Sequence, residues 1–144
     1  MPDWTAKRTA NAQAILDACA KWEAKGYLSV PRLEESAQFA DSTHAYYKLY
    51  VYVQPDNLPK EWSRDRIIEE INDLGVPCFS GSASEVYLEK AFDNTGLRPE
   101  SRLPVAKQLG ETSLMFLVHP TLTEDEIKQT VQAIDSVFAN IHNQ

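Results

Sequence analysis

Long apolar runs are missing from this 144-residue sequence. The longest clear one, Leu114 to Val118, is far too short to cross a bilayer as a helix. Cysteine is scarce. Cys19 and Cys78 are far apart and have no CxxC spacing, so they read as free thiols in a reducing cytoplasm rather than as a disulfide framework. The three histidines have no i, i+3 or i, i+4 spacing with each other or with cysteine, which argues against a zinc site. Positive charge is also short. The net charge is −7, and acids surround the pairs Lys7/Arg8 and Arg64/Arg66. Phosphate contacts supply most of a nucleic-acid binder's affinity and need a basic stripe, so nucleic acid and anionic membrane surfaces are excluded as partners. Met1-Pro2-Asp3-Trp4 carries no signal-peptide pattern, in keeping with a cytoplasmic location.

The residues present describe one domain over 1–144. Hydrophobic residues make up 43% and charged residues 24%, enough for a core without disulfide or metal support. Ile15, Cys19 and Trp22 fall at helical spacing among alanines, which predicts a helix over about 3–25 ended by Gly26. Residues 27–43 read as loop. In HAYYKLYVYVQP, Tyr47, Leu49, Val51 and Val53 share one strand face and Tyr46, Lys48, Tyr50 and Tyr52 the other, with Pro55 closing the strand. Ser63 caps a helix whose stripe is Ile67 or Ile68, Ile71 and Leu74, ended by Gly75. A short strand follows over 76–80, then a short helix over 85–92 capped by Ser82 or Ser84, a loop over 93–103, and one or two helical turns over 104–109. SLMFLVHP reads as a buried strand. Thr123 and Glu126 form a capping box before a helix with Ile127, Val131, Ile134, Phe138 and Ile141 on one face. The expected fold is α+β, a small, mainly antiparallel sheet of about three strands covered on one side by helices.

One stretch, GVPCFSGSASEVY at 75–87, has the look of a functional loop. Small residues before a helix can present free N–H groups to a phosphate or carboxylate. Neither nucleotide fingerprint nor a G-x-S-x-G elbow is present, and serines capping an ordinary helix explain the same letters. Cys78 needs an imidazole to act as a nucleophile, and only His44 and His119 flank predicted strands. The acids Glu69-Glu70 and Glu124-Asp125-Glu126 fit a solvent face and a helix N-terminus. Tyr46, Tyr50 and Tyr52 suit either a stacking surface or a sheet packed under helices.

Several segments in order resemble the C-terminal small domain of the DegT–DnrJ–StrS aminotransferases, pyridoxal-phosphate enzymes that mostly aminate nucleotide-linked keto-sugars. KRTANAQAIL, with Asn11 and Ala12, is similar to the family's first small-domain helix. HAYYKLYVYV resembles its histidine-aromatic-aromatic entry into a strand, and SRDRIIEEINDLGVPC its Arg-Asp helix leading to Gly-Ile-Pro. LPVAKQLGETSLMFLVHPTLTEDEI, the most specific piece, resembles its Pro-x-Ala segment, Ser-Leu strand, His-Pro-x-Leu-Thr turn and acid-capped final helix. The likeness runs from Lys7 to about Asn140. Members place a large domain before this region, carrying the Schiff-base lysine, the acid that pairs with the pyridine nitrogen and the aromatic that stacks on the ring. None of the eight lysines here stands in a Ser-x-x-x-Lys-like context.

The resemblance therefore implies a small domain with no catalytic residue, no cofactor-binding residue and no metal ligand of its own, the coenzyme belonging to a large-domain partner. The usual His-Tyr pair after Gly-Ile-Pro is replaced by Ser80, Gly81 and Ser82, then Ser84 and Glu85. These five are the expected substrate-binding residues, facing a nucleotide-sugar, and homo-oligomer formation is a further expectation. The competing expectation is a stand-alone module, derived from that domain, that binds a small molecule or a protein through an apolar patch containing Trp4, Trp22, Tyr46 and Tyr50. A thiol or serine hydrolase built on Cys78 or Ser82 is the third.

Overall fold

The computed structural model describes residues 2–32 and 42–143. Its first helix, α1 (Pro2–Ala24), is rich in alanine and buries Ala12, Ile15, Cys19 and Trp22. It ends in a Schellman turn, in which the Tyr27 N–H reaches the Trp22 carbonyl and the Gly26 N–H the Glu23 carbonyl. α2 (Arg64–Asp73) ends in the same way at Gly75 and begins at Ser63, whose hydroxyl accepts from the Arg66 N–H at 3.1 Å. α4 (Glu124–His142) opens on the expected capping box: Thr123 Oγ1 accepts from the Glu126 N–H, and the Glu126 carboxylate accepts from the Thr123 N–H. α3 (Pro104–Thr112) starts on a proline, whose missing N–H costs a first helical turn nothing.

Four short strands form one antiparallel sheet: β1 (Leu28–Ser29), β2 (Leu49–Val53), β3 (Cys78–Phe79) and β4 (Ser113–Phe116), in the order β1-β2-β4-β3. The register pairs Leu49 with Phe116 and Val51 with Leu114, and Cys78 lies beside Phe116 on the other side. These side chains share a buried face. α1, α2 and α4 close over it with Trp22, Ile67, Ile71, Ile134 and Phe138, all in the same core cluster. Asn11, itself buried, donates from Nδ2 to the carbonyls of Val118 and His119 and ties α1 to the chain leaving β4. Trp22 Nε1–H donates to Asp135 at 3.0 Å, so this ring belongs to the α1–α4 seam and not to an exposed patch.

The α+β class and the helix-covered antiparallel sheet agree with the expectation, and the details differ in three places. β1 is a fourth strand inside the expected 27–43 loop. Two residues are recruited there by pairing with Val53 and Tyr52, too short a run for alternation to reveal. The remainder of that loop, at 33–41, lies outside the described residues. β2 starts at Leu49 and not at Tyr46, because Tyr46 takes φ +46° with its N–H donated to His44 Nδ1 at 2.9 Å; Tyr47 is left 82% exposed. The helix expected at 85–92 is instead two 3₁₀ turns, Val86–Leu88 and Lys90–Phe92, and no serine caps either one.

Candidate functional site

The candidate loop leaves the sheet where β3 ends. Across the sheet face opposite the core, the register sets Tyr50, Met115 and Phe79 side by side on three neighbouring strands. The Tyr50 ring reaches past Met115 to the loop itself. Its hydroxyl accepts from the Ser82 N–H at 3.3 Å and lies 3.5 Å from Ser82 Oγ. Gly81 sits under that ring with φ +89°, and a Cβ there would lie 2.3 Å from Tyr50 Cε1. Both the left-handed backbone and the ring demand glycine at this position. The Ser80 carbonyl accepts from Ser113 Oγ at 2.5 Å, so β4 also holds the loop from below. Arg64, with 15% of its side chain exposed, donates from Nη1 to the carbonyls of Gly110 and Ser113 and braces α2 against the α3–β4 junction.

The second half of the loop is built differently. Ser84 is half-buried against α3, with its Oγ 2.2 Å from where a Cβ on Gly110 would be. The Glu85 carboxylate pairs with the Arg102 guanidinium and accepts from the Tyr87 hydroxyl at 2.6 Å, and Tyr87 Oη in turn accepts from the Leu103 N–H at 2.8 Å. The Arg102 hydrogen bonds, then the Tyr87 hydroxyl, hold the Glu85 pKa down to about 2. A carboxylate so placed neither donates nor takes up a proton near neutral pH. Ser80 and Ser82 are thus exposed at either side of Gly81, and Ser84 and Glu85 anchor the second half of the loop.

Beside Ser80 and Gly81 lies an open hollow of about 480 Å³ lined by Asp65, Glu69, Asn72 and Phe79. The two acids there make it unfavourable for a phosphate. A groove of about 520 Å³ lies between α1 and the start of β2, and Tyr46, Tyr50 and Tyr52 line it with Gln13, His44 and Lys48. Tyr50 is common to the groove and the loop. The tyrosines marked as a candidate stacking surface are therefore brought to one concave wall, half-buried rather than forming an exposed patch.

Hydrolase chemistry finds no support. Cys78 is 1% exposed, and burial pushes its thiol up to about 12; Cys19 is pushed up to about 12 by burial as well. Neither forms the thiolate that a nucleophile needs at neutral pH. The flanking histidines serve local turns, His44 with the Tyr46 N–H and His119 with Thr121. Among the described residues no His, Cys, Asp and Glu group is clustered as a metal site requires. No described helix is long and apolar enough to cross a membrane.

Arg102, Tyr87, Ser113 and Arg64 were not picked out from the sequence as loop-holding residues. Tyr50 was, but only as one of a row of aromatics. The signal available for it was its place on the second face of the strand.

Residues 1–135 match the model of the DegT/DnrJ/EryC1/StrS aminotransferase family. No curated protein matches the chain. Among solved structures, an aminotransferase from Psychrobacter cryohalolentis is 96% identical with a TM-score of 0.97, over 99% of this chain and 36% of that one. NtdA from Bacillus subtilis, solved with bound cofactor PMP, is 18% identical with a TM-score of 0.72, over 94% of this chain and 28% of its own. The sugar aminotransferase CalS13 from Micromonospora echinospora is 15% identical with a TM-score of 0.63, over 94% of this chain and 31% of its own. The chain spans about a third of the length of these proteins.

Proposed function

The chain belongs to the DegT/DnrJ/EryC1/StrS aminotransferase family, and we propose that it is the C-terminal small domain of a cytoplasmic, pyridoxal-phosphate-dependent aminotransferase acting on nucleotide-linked keto-sugars. The observation that carries this reading is the 96% identity across 99% of the chain to an aminotransferase of which the chain makes up 36%. The family match and the likeness to CalS13, a sugar aminotransferase, support the sugar as substrate class.

The described residues do not fit the coenzyme. A Schiff-base lysine needs a desolvated amine beside the reacting carbon, and here Lys7 and Lys48 are half-buried and the other six lysines exposed. The coenzyme, which supplies electron-sink chemistry when bound, comes from the large-domain partner. The small domain contributes a wall. Ser80 and Ser82 offer hydroxyls to the sugar, and Gly81 lets the backbone approach it closely. Asp65 and Glu69 beside the loop turn the phosphate end of the substrate elsewhere.

The test is a pair of samples: this chain alone, and the longer polypeptide in which the part of the 96%-identical aminotransferase that it does not cover is joined to it. After incubation with pyridoxal phosphate and desalting, the chain alone retains no stoichiometric coenzyme absorbance and exchanges no amino group. The longer polypeptide does both. Stoichiometric coenzyme and unaided amine exchange on the chain alone would sink the reading, and so would a longer polypeptide that binds none.

A further inference from the structure

In α3 the small residues face the fold and the large aliphatic ones face solvent. Ala106 and Gly110, one turn apart, are half-buried, and Gly110 packs tightly on Ser84. Val105 and Leu109, also one turn apart, are 66% and 39% exposed. A surface helix ordinarily turns its aliphatic stripe to its own core. Leu103, directly before the helix, and Val86 and Leu88 are also each 43% exposed or more. They are held beside α3 by the Leu103 N–H to Tyr87 hydrogen bond and the Glu85–Arg102 pair.

Hydrogen bonds brace this surface before anything covers it. The Arg98 guanidinium donates to the carbonyls of Tyr87, Leu88 and Glu89 at 2.9, 3.0 and 3.2 Å and pairs with Asp93 at 2.6 Å. A preformed apolar patch with ordered backbone loses little entropy on docking. The outer face of α4 is the opposite case, with Glu124, Asp125, Lys128, Gln129, Gln132 and Ser136 exposed, and needs no cover.

We propose that Val105, Leu109, Leu103, Val86 and Leu88 form the seat on which the rest of the longer aminotransferase polypeptide packs. The proposal rests on the functional reading above and names the surface that reading requires. The occupant is that polypeptide because the chain is 36% of a 96%-identical protein, so the larger share of the molecule has to meet it somewhere. Exposed apolar surface gathered in one region marks such a meeting place.

The test is thiol labelling of Val105→Cys, Leu109→Cys and a control, Gln132→Cys, in the chain alone and in the longer polypeptide. Cys19 and Cys78 stay silent because both are buried. Labelling at 105 and 109 is expected to slow at least tenfold in the longer polypeptide while the control is unchanged. Hydrogen exchange of the unsubstituted helix at 104–112 is read in the same two settings and slows in parallel, which guards against variants that fold poorly. Equal rates at 105 and 109 in both settings overturn the proposal. So does protection already present in the chain alone together with a dimeric elution volume, since a second copy would then be the occupant. Bound coenzyme is measured in the same samples. Protection without coenzyme leaves the seat standing and removes the functional reading.

Discussion

The Glu85 carboxylate accepts from Arg102 and Tyr87, and its pKa lies near 2 against an ordinary 4.5. A depressed pKa stabilises the folded state above the ordinary value, and that contribution is lost as pH falls through the folded-state value. Glu85→Gln is therefore expected to be less stable than the parent chain from about pH 4.5 upward, with the gap closing toward pH 2. Urea titrations across that range measure it, and a gap that ignores pH would show that the charge is not what anchors the loop. At Gly81 the strain has two sources, the φ of +89° and the Tyr50 ring. Gly81→Ala is expected to cost about 1–3 kcal/mol, and less in a Tyr50→Ala background, where only the backbone part remains. Additive losses in the double-mutant cycle would mean that the ring does not crowd the loop. The loop itself stood out in the sequence because small polar letters cluster there. Its anchors did not, because Tyr50 lies 32 residues from Ser82 and Arg102 lies 17 from Glu85, distances at which no local pattern links a pair.

Elements with strong local chemistry were read well, and those made by tertiary contacts were not. α4 announces itself through Thr123, Glu126 and its apolar stripe; the structure repeats the capping box and buries Ile127, Ile134, Phe138 and Ile141, leaving Val131 half-buried. Thr123→Ala removes the acceptor for the Glu126 N–H and is expected to cost about 1 kcal/mol. It should appear as a lower denaturant midpoint with an unchanged slope, and an unmoved midpoint would mean that another group satisfies the N-terminal amides. β1 exists only because Leu28 and Ser29 pair with Val53 and Tyr52. The 85–92 stretch has helical composition but coils into 3₁₀ turns, with the Glu85 side chain committed to Arg102 and the carbonyls of Tyr87, Leu88 and Glu89 taken by Arg98. α3 was anticipated as a turn or two from its proline, yet the outward aim of Val105 and Leu109 depends on how Gly110 meets Ser84.

Across the full chain, the fold class and the family were readable because ordered segments, each unremarkable alone, occur in sequence from Lys7 to Asn140. The sheet order was not, because it brings together strands far apart in the chain. β2 and β4 sit side by side at the centre, yet residues 54–112 separate them. That pairing turns the intervening stretch into one closed excursion hung from a sealed frame. Closure entropy grows only slowly with length, by roughly 0.6 kcal/mol for each doubling. Added length in its exposed turns is thus cheap, while a change at the Leu49–Phe116 seam, or at Ile67 and Ile71 inside the excursion, disturbs the core. Turns of new length can be drafted on the margin without redrawing the page.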